Sequence, residues 1–259
     1  MERSLAGSLA GSLAGSLAGG AMTFDAWVNA TAEGLNAIEA ASALHAWVPE
    51  FAVTTFNGAN ISAIKDQWGA ADMAQGTVAN QPPWLATGGP GGRPAVDLGS
   101  QTTRSLAATP GPYATGNRVS IYCVCRSVGT GGGSSSYFWP AAGGDTVSIY
   151  ADNSLFKLFV DFDVGASFNG QLDSPAFDTN WHVRALRPLA SGSLSQFGGV
   201  TTTPNPPGDG LAEIGNAAIG SPYALNNGGL VAGLFLVNNA TAAKDTYLRN
   251  RLAAWFGAL

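Results

Sequence analysis

Residues 118–128 read RVSIYCVCRSV. Successive side chains of an extended strand point to opposite faces. Val119, Ile121, Cys123 and Cys125 therefore share one face, and Ser120, Tyr122, Val124 and Arg126 share the other. Both faces are largely apolar, and β-branched and aromatic residues dominate. That pattern predicts a central strand covered on both sides. The two cysteines, the only ones in the chain, stand at i and i+2 on one face. Neighbours along a single strand are badly placed for a mutual disulfide. They read as small buried thiols in a sheet core, which suits folding in a reducing cytoplasm.

Short β-type runs surround this strand. Before it come Ala52–Phe56 and the stretch Gln67–Leu98, QWGAADMAQGTVANQPPWLATGGPGGRPAVDL. In that stretch two brief runs, Trp84–Ala86 and Ala95–Leu98, flank a Gly/Pro turn. Glycine and proline at such density set tight turns, and two very short strands around one turn suit a sandwich edge. After the central strand come Gly129–Ser136 as a connection, then Tyr137–Trp139, Thr146–Tyr150, Leu155–Val164, Trp181–Leu186, Leu194–Gly199 and Leu230–Val237. Their hairpin-like spacing predicts an all-β sandwich. The end is predicted to be helical. Thr241 suits an N-cap and Gly257 a C′ position, and Tyr247, Leu248, Arg251, Leu252 and Trp255 would face inward.

The opening differs from the rest. Residues 4–19 repeat SLAG four times. As a helix, this places Leu5, Leu9, Leu13 and Leu17 in one stripe, but each glycine costs ~1 kcal/mol there against alanine. The segment cannot build a core alone. Phe24–Ala46 follows with helical spacing that includes Phe24 and Trp27, ending near Trp47 ahead of Pro49. Residues 1–43 are therefore read as a helical or extended arm, and 44–259 as the main domain. Leu5, Leu9, Leu13, Leu17, Phe24 and Trp27 are its candidate partner-binding residues, in a homo-oligomer or a larger assembly.

Composition narrows the function classes. Charged residues are 11% of the chain and the net charge is −5. There are three lysines and no basic run, which argues against nucleic-acid partners. No apolar run reaches the ~18 residues that a membrane span needs. The five glutamates, Glu2, Glu33, Glu39, Glu50 and Glu213, do not share a strand with another carboxylate. Asp161 and Asp163 alternate on one strand and would share a face; a calcium site there would need further oxygens, from Asp152 or Asp178. The histidines are His45 and His182, and the sequence has no Gly-x-Ser-x-Gly elbow to supply a serine nucleophile for either. No catalytic, metal or cofactor site is expected. Aromatics offer the better lead: Tyr137, Trp139 and Tyr150 fall on neighbouring strands and are the candidate ligand-binding residues.

Ile64–Gly69, Ala79–Pro82 and Gly92–Val96, with the Arg118–Arg126 strand, resemble the entry and core strand of concanavalin A-like, laminin-G-like jelly rolls. Trp181–Val183, Ile214-Gly215, Leu230–Val237 and the Tyr247–Gly257 helix are similar to their later elements. Ile64 departs from the pattern, standing where such domains often carry Trp. The resemblance covers about residues 44–259 and implies a concanavalin A-like jelly-roll sandwich of the kind found in bacteriophage structural and bacterial surface proteins. By that analogy the expected role is a non-enzymatic structural protein of a virion or cell surface, such as a decoration or fibre component. The alternative is a glycan-binding, lectin-like adhesion module; a carbohydrate-active hydrolase comes third. Deleting residues 1–43 is expected to leave a cooperatively folding β-protein that fails to oligomerise, as measured by light scattering; unchanged assembly would refute the arm's role.

Overall fold

The computed structural model describes residues 43–109, 119–127, 134–138, 147–152, 157–163, 167–172, 179–188, 194–196, 201–202, 217–220, 226–238 and 241–257. All fall in the unit Ser42–Leu259. Leu5, Leu9, Leu13, Leu17, Phe24, Trp27 and Trp139 lie outside them.

In chain order, β1 (Ala43–Trp47) leads through a one-turn helix, α1 (Pro49–Ala52), to the hairpin of β2 (Val53–Asn57) and β3 (Asn60–Ile64). Short strands follow: β4 (Met73–Ala74), β5 (Trp84–Leu85), β6 (Ala95–Asp97), β7 (Ser100–Thr102) and β8 (Ser105–Ala108). The long β9 (Val119–Ser127) precedes a meander of β10 (Ser134–Phe138), β11 (Val147–Asp152), β12 (Lys157–Asp163) and β13 (Ser167–Leu172). Then come β14 (His182–Pro188), β15 (Leu194–Gln196), β16 (Thr201–Thr202), β17 (Ala217–Gly220) and β18 (Asn226–Asn227). The second long strand, β19 (Gly229–Asn238), and the helix α2 (Ala242–Phe256) end the described chain.

Among the described residues, eight strands form one antiparallel sheet in the order β16-β15-β14-β9-β19-β6-β5, with β1 also paired to β19. A five-stranded sheet runs β17-β8-β4-β3-β2, and β10–β13 form a four-stranded sheet. The architecture is an all-β sandwich with a C-terminal helix. β10 runs close to β17, β9 and β19, so the layers meet over the two longest strands.

The predicted central strand is central. β9 pairs with β14 on one side and with β19 on the other, and every residue from Val119 to Cys125 is buried. β19 is as apolar, and is buried from Gly229 to Val237. Burial of that much aliphatic and aromatic surface, at roughly 25 cal/mol per Å², is what holds the sheet. The cysteines are free and buried, as their spacing implied. The Trp84 and Ala95 runs pair as a small hairpin (Trp84↔Val96, Leu85↔Ala95) at the sheet edge.

Three sequence expectations are corrected. The helical reading of Phe24–Ala46 overruns its end, because Ala43–Trp47 is a strand. β19 pairs with β6 only at Leu230 and Val231 along that edge, and β1 takes up the rest from Leu234 to Val237. Buried backbone groups require partners, and that need overrides local helical spacing. Pro49 does not end a helix but begins one; at the first helical position its missing N–H costs nothing. The inward stripe of α2 is Asp245, Leu248, Leu252 and Phe256, all buried, at spacings of three, four and four that trace one face. Arg251 and Trp255 are half-buried flanks. Thr241 does cap the helix, its Oγ1 accepting the Lys244 N–H, and Gly257 follows with φ +78°.

Two glycines with positive φ separate strain from space. A Cβ at Gly220 (φ +81°) would sit 2.4 Å from the Arg104 carbonyl oxygen, whereas at Gly58 (φ +65°) it would meet nothing within 4 Å. Gly58→Ala is expected to cost about 1 kcal/mol from left-handed strain alone. Gly220→Ala should cost about 3 kcal/mol or more, because overpacking adds to it. Urea unfolding measures both, and equal costs would contradict the packing described.

Candidate functional site

Of the three residues read as ligand-binding, two are brought together. Ser136 on β10 pairs with Tyr150 on β11, and Phe138 pairs with Ile149, so Tyr137 is the extra residue of a bulge beside Tyr150. Trp139 lies outside the described residues. Asp161 and Asp163 sit two apart on β12, opposite Asn169 and Ser167 of β13; Asp178 lies outside the description. Among the described residues there is no group of three or more His, Cys, Asp or Glu that could hold a metal ion.

A surface that the sequence reading did not single out carries the clearest binding chemistry. Two large hydrophobic side chains are exposed among the described residues: Phe56 at 50% and Val78 at 59%. Phe56 is the penultimate residue of β2, just before the Asn57-Gly58 turn into β3. The ring of Trp84 meets it edge-on, with centroids 5.4 Å apart and planes at 82°. Trp84 is fixed at both ends: its backbone N–H donates to Ala59 O (3.0 Å) and its indole Nε1–H to Pro49 O (3.3 Å). Edge-to-face pairs of this kind are worth ~0.5–1.5 kcal/mol beyond their area.

A chain of amides adjoins this pair. Asn57 Nδ2 donates to Gln81 Oε1 (3.1 Å), and Gln81 Nε2 donates to Gln75 O (2.9 Å). Gln75 Nε2 donates to both Ser105 O (3.2 Å) and Ser105 Oγ (3.3 Å). Thr103 Oγ1 donates to Asn80 Oδ1 (2.6 Å). Gln81 also closes the short turn that carries Val78, through its N–H to Val78 O (3.2 Å). Every polar side chain in this network is an amide or hydroxyl; Gln81 and Ser105 are buried and support Asn57, which is exposed and offers directed hydrogen bonds without charge. An exposed aromatic beside an Asn-Gly turn was the available sequence signal. The contact to Trp84, 28 residues on, could not be read from it.

Beneath, a buried carboxylate organises the entry to the domain. Asp66 Oδ1 accepts N–H groups from Ala46 (3.1 Å), Trp68 (3.1 Å) and Gly69 (2.9 Å). Its Oδ2 accepts from Ala71 N–H (3.1 Å) and from His45 Nδ1. The His45 ring lies flat on Trp47, with centroids 5.2 Å apart and planes at 8°. Burial by itself would raise the Asp66 pKa; the hydrogen bonds from His45 and from Gly69, Ala46 and Ala71 outweigh it and hold the carboxyl below its ordinary value. Both carboxylate oxygens are spent on structure, which makes this pair a clip rather than a general base. Cys123 is likewise no nucleophile: burial, and then neighbouring Cys125, push its thiol well above the ordinary value, against a smaller opposing pull from Arg184.

No family model and no curated protein matches the sequence. Solved structures do match in shape. The binding domain of botulinum neurotoxin serotype D superposes with a TM-score of 0.63 at 10% identity, over 86% of this chain and 56% of that one. The binding domain of botulinum neurotoxin DC in complex with rat synaptotagmin II gives 0.59 at 12%, over 83% and 52%. Trypanosoma rangeli sialidase in complex with sialic acid gives 0.53 at 12%, over 89% and 38%. The chain thus spans between 38% and 56% of these structures' lengths. The likeness is one of fold. It establishes the β-sandwich, and leaves the concanavalin A-like and phage parts of the expectation to the sequence resemblance alone.

The clip has a pH signature. A carboxyl whose folded pKa lies below its unfolded value, ~3.9, stabilises the fold above that value and loses the contribution as pH falls through the folded pKa. Asp66→Asn is therefore expected to destabilise the protein by about 3 kcal/mol at pH 7, breaking a buried pair and its backbone bonds. The penalty should shrink as pH drops below about 4. Urea titrations of both chains across pH check this; a pH-independent penalty would contradict an ionised Asp66.

Proposed function

We propose that this chain is a non-catalytic, glycan-binding β-sandwich module, with the Phe56–Trp84 corner holding the sugar. The observation that carries this is the half-exposed Phe56 ring, braced by Trp84 and edged by the Asn57–Gln81 amides. Sugars present C–H faces that pack on aromatic rings and hydroxyls that pair with amides, and binding sites combine such surfaces with a few placed polar groups. The fold supports the reading by analogy, because the matched neurotoxin domains are named as binding domains. It also favours this reading over a purely structural virion role.

The corner argues against catalysis by its chemistry. Glycoside hydrolysis uses two carboxyl groups about 5–9 Å apart, whereas Asn57, Asn80, Gln81, Gln75 and Thr103 cannot act as acid and base near neutral pH. The bulged hairpin of Tyr137 and Tyr150 is the second reading of where a ligand is held, favoured by the register that puts the two residues side by side. In the wider proposal the module is displayed on a virion or cell surface, with residues 1–43 as the oligomerising handle.

A glycan array probed with the full chain tests the proposal. Neutral oligosaccharides are expected to bind, and Phe56→Ala and Asn57→Ala each to weaken that binding at least tenfold while lowering the melting temperature by only a few degrees, as the loss of one ring pair or one hydrogen bond implies. Binding that survives both but is lost in Tyr137→Ala or Tyr150→Ala would move the site to the hairpin. Binding to no glycan would end the reading.

A further inference from the structure

We infer that Arg126 and Trp181 form a second binding site, which takes a carboxylate carried on a sugar ring. The inference rests on the glycan reading only for the nature of the ligand; its geometry is independent of the Phe56 corner.

Arg126 lies one residue from the end of β9, in the middle of the largest sheet. On one side Leu230 of β19 pairs with it. On the other side His182 pairs with Cys125, which sets Trp181 across from Arg126. The guanidinium carbon stands 5.8 Å from the centre of the Trp181 ring. The strand neighbour on the same face is Val124, which is buried. The neighbours of Arg126 on this face are therefore Leu230, Val124 and Trp181, and none of the three has an oxygen in its side chain.

Its hydrogen bonding is unlike that of Arg93 and Arg249. Arg93 holds Glu50 at 2.6 Å and Arg249 holds Asp245 at 3.0 Å. Arg126 Nε is shielded from solvent and meets no acceptor among the described residues. The closest acidic position along the row, Asp97, is one strand further, opposite Leu230. Its Oδ1 already takes the Gly99 N–H at 2.8 Å, and its Oδ2 lies 4.0 Å from Arg104. A desolvated donor without a partner costs stability, and a guanidinium is the group whose planar fork best matches a carboxylate. A carboxylate ligand would supply the missing acceptor.

The tryptophan points to what carries that carboxylate. Trp181 is half-exposed, and Thr179 and Asn180 before it are exposed, so the ring is reachable from water. An acidic sugar offers both halves of the match, a C–H face for the indole and a planar anion for the fork. A polyphosphate or nucleic acid would call for more cations than a single arginine in a chain of net charge −5.

The test uses the full-length Phe56→Ala chain, which lacks the first site, and follows tryptophan fluorescence. D-glucuronate is expected to bind in the millimolar range. D-glucose and N-acetyl-glutamate, which lack the anion and the ring respectively, should each bind at least tenfold more weakly. Adding Arg126→Met should abolish the glucuronate response while leaving the melting temperature within about two degrees, since the thioether keeps the apolar stem and the Nε has no acceptor among the described residues. Arg126→Lys should retain part of the response. Equal responses to glucose and glucuronate, or to N-acetyl-glutamate and glucuronate, would overturn the acidic-sugar site. So would a glucuronate response that survives Arg126→Met, or a clearly lowered melting temperature in that variant, which would show Arg126 to be structural. Since the Phe56→Ala background is common to every arm, failure here leaves the first site's glycan array untouched.

Discussion

The fold depends on one constraint, that β9 has no free side. Its two edges are hydrogen-bonded to β14 and β19, and both of its faces are buried through Cys125. One face, through Tyr122 and its partner Phe235, lies under α2 and the loop of Trp68. Tyr122 Oη donates to Asp245 on the helix (3.0 Å), and Trp68 packs on Phe235 with centroids 5.5 Å apart. A strand this apolar on both faces can only be stable with a layer above and a layer below, and the chain before and after it supplies them.

Several polar groups taken into this core are paired, while Ser120 Oγ, Asn238 Oδ1 and Arg126 Nε meet no hydrogen-bond partner among the described residues. Asp245 accepts from Tyr122 and also from Arg249 Nε at 3.0 Å, so the buried carboxylate at the start of α2 is held by one hydroxyl and one cation. Asp66 accepts five donors. Arg93 lies 4.4 Å above the ring of Trp255 while bonding Glu50, tying the end of the helix to α1. Among the three groups that meet no partner among the described residues Arg126 is the cation, and elsewhere the Phe56 ring is left half in water. Buried or half-buried groups that spend stability without an internal return are where binding chemistry is found.

Much of this was legible in the residues. The two-sided strand at Arg118–Val128, the Trp84/Ala95 edge hairpin, the late strand at Leu230–Val237 and the capped terminal helix each follow from local periodicity and turn chemistry. The strands missed were the ones with weak patterns, such as Ser167–Leu172 (SFNGQL) and Ser105–Ala108 (SLAA). Their small and polar residues give no alternation to read, and they are strands because a neighbour offers a ladder. The same holds for Ala43–Trp47, whose spacing suited a helix until the open edge of β19 claimed it. Phe256, not Trp255, is innermost on α2, because the Arg93 and Phe51 contacts hold Trp255 at the flank.

The candidate sites divide in the same way. Tyr137 and Tyr150 could be placed on neighbouring strands from sequence, because a hairpin is a local object. The Phe56–Trp84 pair, the amide chain from Asn57 to Ser105 and the Arg126–Trp181 pair join residues 28 to 55 positions apart along the chain. By itself the sequence determined that the body is a β-sandwich closed by a helix, since alternation, turn residues and caps act over a few neighbouring residues. Which side chains meet at the surface, and which buried donor lacks an acceptor among the described residues, was decided only by tertiary structure, because strand register and sheet order bring together residues whose separation in sequence carries no signal.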